Sequence, residues 1–435
     1  MKYSDTIEYL YGLQKFGMKF GLDNIRLLMS LLGAPQKSFS SVHVAGTNGK
    51  GSTSAMIESL LRTKGIRTGL FTSPHLVSFT ERIRVNGEEI SEDAVIELAE
   101  EVRKAAAGIE DFCPTFFEVV TAMAFLYFMS MKVEWAVVEV GMGGRLDATN
   151  IIQPEVAVIT NIGIDHCEFL GDTLEEIARE KAGIIKQGVP VVIAGQQPEV
   201  MRVIQQRCEE AGAPLFRFQS EFSAERASGD AGAISLNYYG KNAYLDVGVS
   251  LPGEHQIGNA ALAIKAAEVL SERYPEMDFD IRKGLGAVSW PGRLEMIRET
   301  PPILIDGAHN PPAAAVLAAH LRKLLGAKYQ RIIMVAGVMA DKDIPGILRP
   351  LLPLAAEIIF AAPAYGRAAS AEKLQSSATD LGYASKTAGS VAGALTMAEG
   401  LYRPGDLIVV TGSFYTIGEA KEASGHKGVL AGLRE

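Results

Sequence analysis

The stretch Ser41-Val42-His43-Val44-Ala45-Gly46-Thr47-Asn48-Gly49-Lys50-Gly51-Ser52 decides how the rest of the chain is read. Val42 and Val44 fall on one side of a strand, and from Ser52 onward Met56, Ile57, Leu60 and Leu61 recur at helical spacing. Between strand and helix lies a turn built on Gly46, Gly49 and Gly51. Glycines let backbone N–H groups approach a phosphate closely, a helix N-terminus adds its positive dipole end, and Lys50 can reach the outer phosphates. The turn departs from the common phosphate-loop pattern: Val44 stands where the first glycine belongs, and Gly51 directly follows the lysine. With a strand before it and a helix after it, phosphate binding is a stronger reading than a glycine-rich turn carrying one solvated lysine.

Outward from this unit, strand patterns at Ile66–Phe71, Trp135–Val140, Val156–Asn161 and Val189–Ala194 alternate with helical patterns at Ser91–Ala106, Phe116–Met131 and Leu174–Ile185. Such alternation predicts an α/β chain with a mostly parallel, doubly wound sheet. Residues 215–250 read as a small antiparallel excursion, and Asn259–Leu270 as an apolar helix. Pro291, Gly292, Pro301 and Pro302 break the pattern. Beyond them β/α alternation restarts at Ile303–Ile305, Arg331–Val335, Glu357–Phe360 and Leu407–Val410. The expected domains are 1–296, an ATPase-type domain carrying the phosphate loop, and 297–435, a smaller Rossmann-like α/β domain.

Of the 435 residues, 48% are hydrophobic and 21% charged, a balance that excludes a disordered chain. A net charge of −9 argues against a nucleic-acid partner and leaves room for a local phosphate pocket. Cys113, Cys167 and Cys208 lie far apart with no CxxC pair, so neither a zinc site nor a disulfide framework is expected. The apolar stretch Phe116–Met131 contains Glu118, Thr121 and Ser130 and falls short of the ~20 residues that a membrane span needs. The polar-interrupted N-terminus is no signal peptide. A cytoplasmic protein with no membrane partner is expected.

Further candidates sit at the ends of apolar strands. Glu139 closes the run Trp135–Val140, where a carboxylate is costly unless paired or bound to metal, and the carboxyl end of a parallel strand is where ligands lie in such sheets. A Mg²⁺ ligand is one reading and a structural ion pair the other. His166 follows the strand at 156–161; on chemistry alone it is a hydrogen-bonding loop residue. Ser73 alone would be a turn residue, Lys181 a solvated helix lysine, Asp306-Gly307-Ala308-His309-Asn310-Pro311 a turn with a helix cap, and Glu118 a carboxylate hydrogen-bonded in the core.

Together these segments resemble the folylpolyglutamate synthase/dihydrofolate synthase family of the Mur ligase superfamily. The resemblance runs in order through residues 45–52 (AGTNGKGS), 72–76 (TSPHL), 115–118 (TFFE), 139–150 (EVGMGGRLDATN), 164–173 (IDHCEFLGDT), 180–184 (EKAGI), 252–263 (PGEHQIGNAALA), 290–295 (WPGRLE), 306–311 (DGAHNP) and 411–420 (TGSFYTIGEA). It implies that Thr47, Asn48, Gly49, Lys50, Gly51 and Ser52 cradle the phosphates of ATP. Ser73, Glu139 and His166 would hold Mg²⁺, and Lys181 would be carried as a carbamate. Asn259, Arg293 and Asp306 match nucleotide-contacting positions, with His309 beside them as a catalytic candidate together with Lys50 and Lys181. Thr115, Phe116, Phe117, Glu118, Leu146, Asp147 and Ala148 match stretches that contact a pterin substrate. The implied activity is ATP-dependent addition of L-glutamate to dihydropteroate and to reduced folates by a monomer, through an acyl phosphate.

Alternatives are a monofunctional folylpolyglutamate synthase, another Mur-type ligase and a nucleotide-driven switch protein. A muramyl-peptide ligase would be expected to carry a UDP-sugar domain ahead of the phosphate loop, where this chain has 45 residues. A switch protein would leave DGAHNP unexplained. A dinucleotide oxidoreductase fits less well, because Leu146 replaces the last glycine of the fingerprint in residues 141–146.

Overall fold

The structure is a computed structural model that describes residues 2–16, 21–109, 112–227 and 234–425. It separates into two compact units: Met1–Pro74 with Phe79–Trp290, and His75–Ser78 with Pro291–Glu435.

Among the described residues, the first unit carries an eight-stranded sheet. Its strands are β1 (Ser40–Ala45), β2 (Thr68–Phe71), β3 (Ile83–Val85), β4 (Glu88–Glu89), β5 (Trp135–Glu139), β6 (Val156–Ile159), β7 (Val191–Ile193) and β8 (Leu215–Arg217). The spatial order is β4-β3-β2-β5-β1-β6-β7-β8. All pairs from β2 through β8 are parallel, and only β3 and β4 add as an antiparallel edge. The chain leaves β1 toward β2, returns through β5, and continues on the other side with β6. That reversal opens a crevice at the carboxyl ends of β1, β5 and β6, the place where such sheets take ligands.

The strands are apolar because both faces are covered. One face packs the helices Lys50–Thr63 and His255–Arg273 in a core containing Val42, Val44, Met56, Leu60, Ala260 and Ile264. The other packs Ala157, Ile159, Ile177, Ile184 and Ile193. The apolar stretch at 116–131 is the buried helix Phe116–Ser130; no helix among the described residues is long and apolar enough to cross a membrane. The expected antiparallel excursion is the sheet β9 (Ser223–Arg226), β10 (Ile234–Tyr239) and β11 (Ala243–Val249), although residues 228–233 of that segment lie outside the described residues. It starts later than 215, because Leu215–Arg217 joins β7 in parallel as the edge of the large sheet.

The second unit holds β12 (Glu295–Glu299), β13 (Pro302–Asp306), β14 (Arg331–Ala336), β15 (Ala355–Ala361), β16 (Lys386–Ala388) and β17 (Asp406–Thr411), ordered β12-β13-β17-β14-β15-β16. Only β12 runs antiparallel to its neighbour. Leu304, Met334 and Val409 point into one core, and Ile303, Ile305, Val335 and Val410 into the other, so alternate residues of each strand are buried on opposite faces. The units change at Trp290/Pro291, ahead of the expected 296/297, which falls inside β12. The short segment His75–Ser78, placed by sequence in the first domain, groups with the second unit, where Leu76 and Val77 join Ile303 and Ile305 in one core.

Candidate active site

In the first unit β1 delivers the chain into the glycine turn. Gly46 and Gly49 have φ of 147° and 90°, a region open to glycine. A Cβ at Gly46 would lie 1.8 Å from Thr160 Oγ1, and one at Gly49 2.5 Å from Asn259 Oδ1. The left-handed Gly49 caps a helix that starts at Lys50, two residues earlier than the periodicity predicts, so the lysine stands in the first turn. Thr47 fixes the turn from the side: its Oγ1 donates to the Gly163 carbonyl and accepts the Gly163 N–H, both at 3.1 Å. Asn259 is held by its own helix, its amide donating to Gln256 Oε1 at 2.8 Å. Trp290 covers Gly51, where any Cβ would meet the indole at 2.9 Å.

Glu139, at the carboxyl end of β5, is 4% exposed. Its Oε1 lies 3.9 Å from Lys50 Nζ, and its Oε2 accepts the Ser73 N–H at 3.3 Å. Lys50 also donates to the Thr47 carbonyl at 3.3 Å. Three of the sequence candidates, from the ends of β1, β2 and β5, therefore meet at one point. His166 lies on the loop after β6, exposed, in a left-handed conformation that starts a one-turn helix. The Thr47–Gly163 pair anchors that loop to the phosphate turn three residues ahead of it.

Lys181 is not the solvated lysine that the sequence alone suggests. It is 4% exposed, and its Nζ donates to the Gly46 carbonyl at 2.8 Å. Burial brings its pKa down to about 7; the nearby Lys50 charge pushes the same way, and Asp165 and Asp147 oppose.

The pterin candidates occupy the same unit. Thr115 and Glu118 form a capping box: Glu118 N–H donates to Thr115 Oγ1 at 3.3 Å and Thr115 N–H to Glu118 Oε2 at 2.7 Å. The buried carboxylate of Glu118 is thereby accounted for by a helix start, a pairing of about 1 kcal/mol. Phe116 stacks on Tyr11 with centroids 5.6 Å apart, and the Arg82 guanidinium lies 5.3 Å from its centroid. Phe117 stacks on Phe71 and closes over Gly141. Leu146, Asp147 and Ala148 lie on the loop after β5. Asp147 is buried, accepts the Met142 N–H at 2.8 Å and the Thr149 N–H at 3.0 Å, and has its pKa raised by burial against those hydrogen bonds.

In the second unit Asp306 ends β13. Its carboxylate accepts the Leu294 and Ala308 N–H groups, each at 3.0 Å. Burial raises its pKa, and the Arg293 charge opposes. Arg293 lies over the Phe414 ring at 4.6 Å, and the His309 ring sits 5.5 Å from the same ring. His309 Nδ1 contacts the Gly307 carbonyl at 2.8 Å, and Asn310 caps the helix Pro311–Leu324 through the Ala313 N–H. Arg293 and His309 thus share the Phe414 ring, and Asp306 lies near enough to feel the Arg293 charge.

Residues 44–267 match the Mur ligase middle domain, and residues 292–414 the Mur ligase glutamate ligase domain. The dihydrofolate synthase/folylpolyglutamate synthase of Bacillus subtilis is 42% identical over 383 residues, 86% of this chain and 88% of that protein. The Mycobacterium tuberculosis folylpolyglutamate synthase complexed with ADP and AMPPCP superposes with a TM-score of 0.91 at 37% identity, covering 98% of this chain and 100% of that one. Escherichia coli FolC in complex with DHPP and ADP gives 0.87 at 33% identity, covering 97% of each chain. The chain belongs to the dihydrofolate synthase/folylpolyglutamate synthase family.

Several residues of this family member carry the site's geometry without standing out in the sequence. Phe414 organises Arg293 and His309, yet reads as one more apolar residue in the segment 411–420. Gln256 is fully buried beside Asn259, and its signal was only a polar residue at the start of an apolar helix. His43 breaks the apolar alternation of β1, which is a legible signal, and it too is fully buried.

Proposed function

We propose that this chain, a ligase of the family to which it belongs, uses ATP to join L-glutamate to dihydropteroate and to reduced folates. The observation that carries the reading is the meeting of Lys50, Glu139 and the Ser73 N–H at the head of the helix Lys50–Thr63. Relatives complexed with ADP, and with DHPP and ADP, support a nucleotide and a pterin substrate for this chain.

A carboxylate is a poor acyl donor because its leaving group would be oxide. In the proposed reaction the substrate carboxylate oxygen attacks the γ-phosphorus of ATP, the bond to the β–γ bridging oxygen breaks, and ADP departs. The glutamate amine then attacks the acyl carbon, the carbon–oxygen bond to phosphate breaks, and the nitrogen loses a proton. Lys50 and the N–H groups at the start of the helix Lys50–Thr63 neutralise charge on the transferring phosphoryl group. Arg293 takes the phosphate role and Asp306 the ribose role, with His309 beside them and Asn259 on the nucleotide.

The residues at the strand ends fit Mg²⁺. Among the described residues no cluster of three or more His, Cys, Asp or Glu forms a metal site, but Mg²⁺ keeps most of its shell as water and phosphate oxygens and needs only one or two carboxylates. Glu139 supplies a buried carboxylate, with Ser73 and His166 as the further ligands. Bound there, the ion would screen the phosphate charge during transfer. Lys181, with a pKa near 7, is partly a neutral amine at neutral pH, the form that adds carbon dioxide with loss of a proton to give a carbamate.

The experiment is ADP release by purified protein supplied with ATP, Mg²⁺ and glutamate, with and without dihydropteroate, and product detection by mass. Glutamate-dependent ADP release with a mass matching dihydrofolate supports the reading. ATP hydrolysis indifferent to glutamate and to pterin would remove it.

A further inference from the structure

We infer that His43 is a positioning residue for the substrate loop 141–150, acting through Thr149 and Asp147; this rests on the assignment of Leu146–Ala148 to the pterin substrate. His43 lies on β1, fully buried, three residues ahead of the phosphate turn. Its Nε2 is 2.9 Å from Thr149 Oγ1. Thr149 Oγ1 in turn donates to Asp147 Oδ1, which also accepts the Thr149 N–H, while Asp147 Oδ2 accepts the Met142 N–H. One carboxylate thus closes the loop on itself, and one imidazole ties that carboxylate to the strand leading into the nucleotide site.

The proton inventory fixes the direction of the relay. A threonine hydroxyl has a single proton. Here it goes to the carboxylate, so Oγ1 can only accept from His43, and Nε2 must carry the proton. Nδ1 is then the bare nitrogen, and it is buried with no hydrogen-bond partner among the described residues. An imidazolium would place an unpaired N–H there, at a cost far above that of a bare lone pair. The burial that holds the His43 pKa down, to about 3, keeps the ring neutral at any working pH. Neither apolar packing nor strand propensity calls for a histidine at this position, since Val42 and Val44 beside it fill the opposite core.

The test compares His43→Leu, His43→Gln and Thr149→Val. The leucine removes the donor; the glutamine amide restores one at similar reach. Expected for His43→Leu is a rise in KM for dihydropteroate of roughly tenfold, the scale of one buried hydrogen bond, with KM for ATP changed by less than about twofold. His43→Gln should recover most of the loss, and the His43→Leu/Thr149→Val double variant should be no worse than the more impaired single. Nitrogen NMR of histidine-labelled wild-type protein should show His43 as the neutral Nε2-protonated tautomer. That readout needs no substrate, so it judges the relay even if dihydropteroate proves not to be a substrate. Equal rises in both KM values, additive effects, no rescue by glutamine, or a proton on Nδ1 would each overturn the inference.

Discussion

Lys181 Nζ donates to the carbonyl oxygen of Gly46 across 2.8 Å, so a buried amino group from one helix holds the first glycine of the phosphate turn. That contact joins the charge state of Lys181 to the shape of the nucleotide site. The burial of the same side chain gives the protein a stability term that depends on pH.

The sign follows from linkage. The unfolded lysine titrates near 10.5 and the folded one near 7. Between these values the unfolded chain holds the proton and the folded chain does not, so folding stability rises with pH across that window and is lowest below about 7. Lys181→Met lacks the term. Urea unfolding should show the variant's stability relative to wild type falling as pH goes from 7 to 9. A difference that stays constant between those pH values would mean that Lys181 titrates at its usual value.

Activity should respond differently from stability. Lys181→Ala is expected to be nearly inactive, and short carboxylic acids should restore part of the rate by standing in for the carbamate. A surface lysine would instead change stability by no more than about 0.5 kcal/mol and leave turnover alone. A fully active Lys181→Ala enzyme would take the residue out of the site.

Glu139→Gln keeps the shape of the side chain and its Oε1 near Lys50 while removing the charge. Turnover should fall at least ~100-fold, the scale of one preorganised electrostatic element, with the unfolding midpoint near that of wild type. Steady-state rates across a Mg²⁺ titration provide the check. Near-normal turnover at limiting Mg²⁺ would end the metal-ligand assignment.

Much of this site was legible because its residues interrupt strong local patterns. Glu139 ends an otherwise apolar strand, and Gly46–Gly51 separate a strand pattern from a helical one, so both stand out without any tertiary knowledge. Lys181 did not stand out: its helix, Leu174–Ala182, is polar enough to pass for a solvent-exposed one, and only the packing of the helix against the turn buries it. β12 escaped for a related reason. Its sequence, Glu295-Met296-Ile297-Arg298-Glu299, is half-exposed and charged, as an antiparallel edge strand tends to be, and lacks the apolar run that marks the interior strands. The grouping of His75–Ser78 with the second unit depends on contacts between segments more than 200 positions apart, which no local periodicity can report.

Gly46→Ala should damage the nucleotide site at its root. At φ of 147° the added Cβ would sit 1.8 Å from Thr160 Oγ1, so the Thr160 side chain just past β6, or the turn, must move. Loss of ATP affinity by at least ~10-fold is expected, along with destabilisation of roughly 1–3 kcal/mol for the strained backbone. Isothermal titration with a non-hydrolysable ATP analogue and thermal unfolding measure the two effects separately. Wild-type affinity in Gly46→Ala would show that the turn adapts and that its shape is not what binds phosphate.

The last prediction concerns the choice of acceptor. An aromatic at position 116 can line a pocket for a flat pterin or its aminobenzoate. In the structure Phe116 is half-buried, stacked on Tyr11 at 5.6 Å, with the Arg82 guanidinium 5.3 Å from its centroid. The ring therefore serves packing as well as any contact it makes with substrate. Phe116→Asp removes the stacking and introduces the negative charge. If Phe116 lines the acceptor site, dihydropteroate should be used at least ~10-fold less efficiently, as expected for one lost contact of this kind, while extension of tetrahydrofolate persists. If it is packing alone, Phe116→Leu and Phe116→Asp should both lower the unfolding temperature and impair the two acceptors equally. Comparing kcat/KM for dihydropteroate and tetrahydrofolate across wild type and the two variants separates these outcomes, and a wild-type enzyme that extends tetrahydrofolate but yields no dihydrofolate would restrict the chain to polyglutamate synthesis.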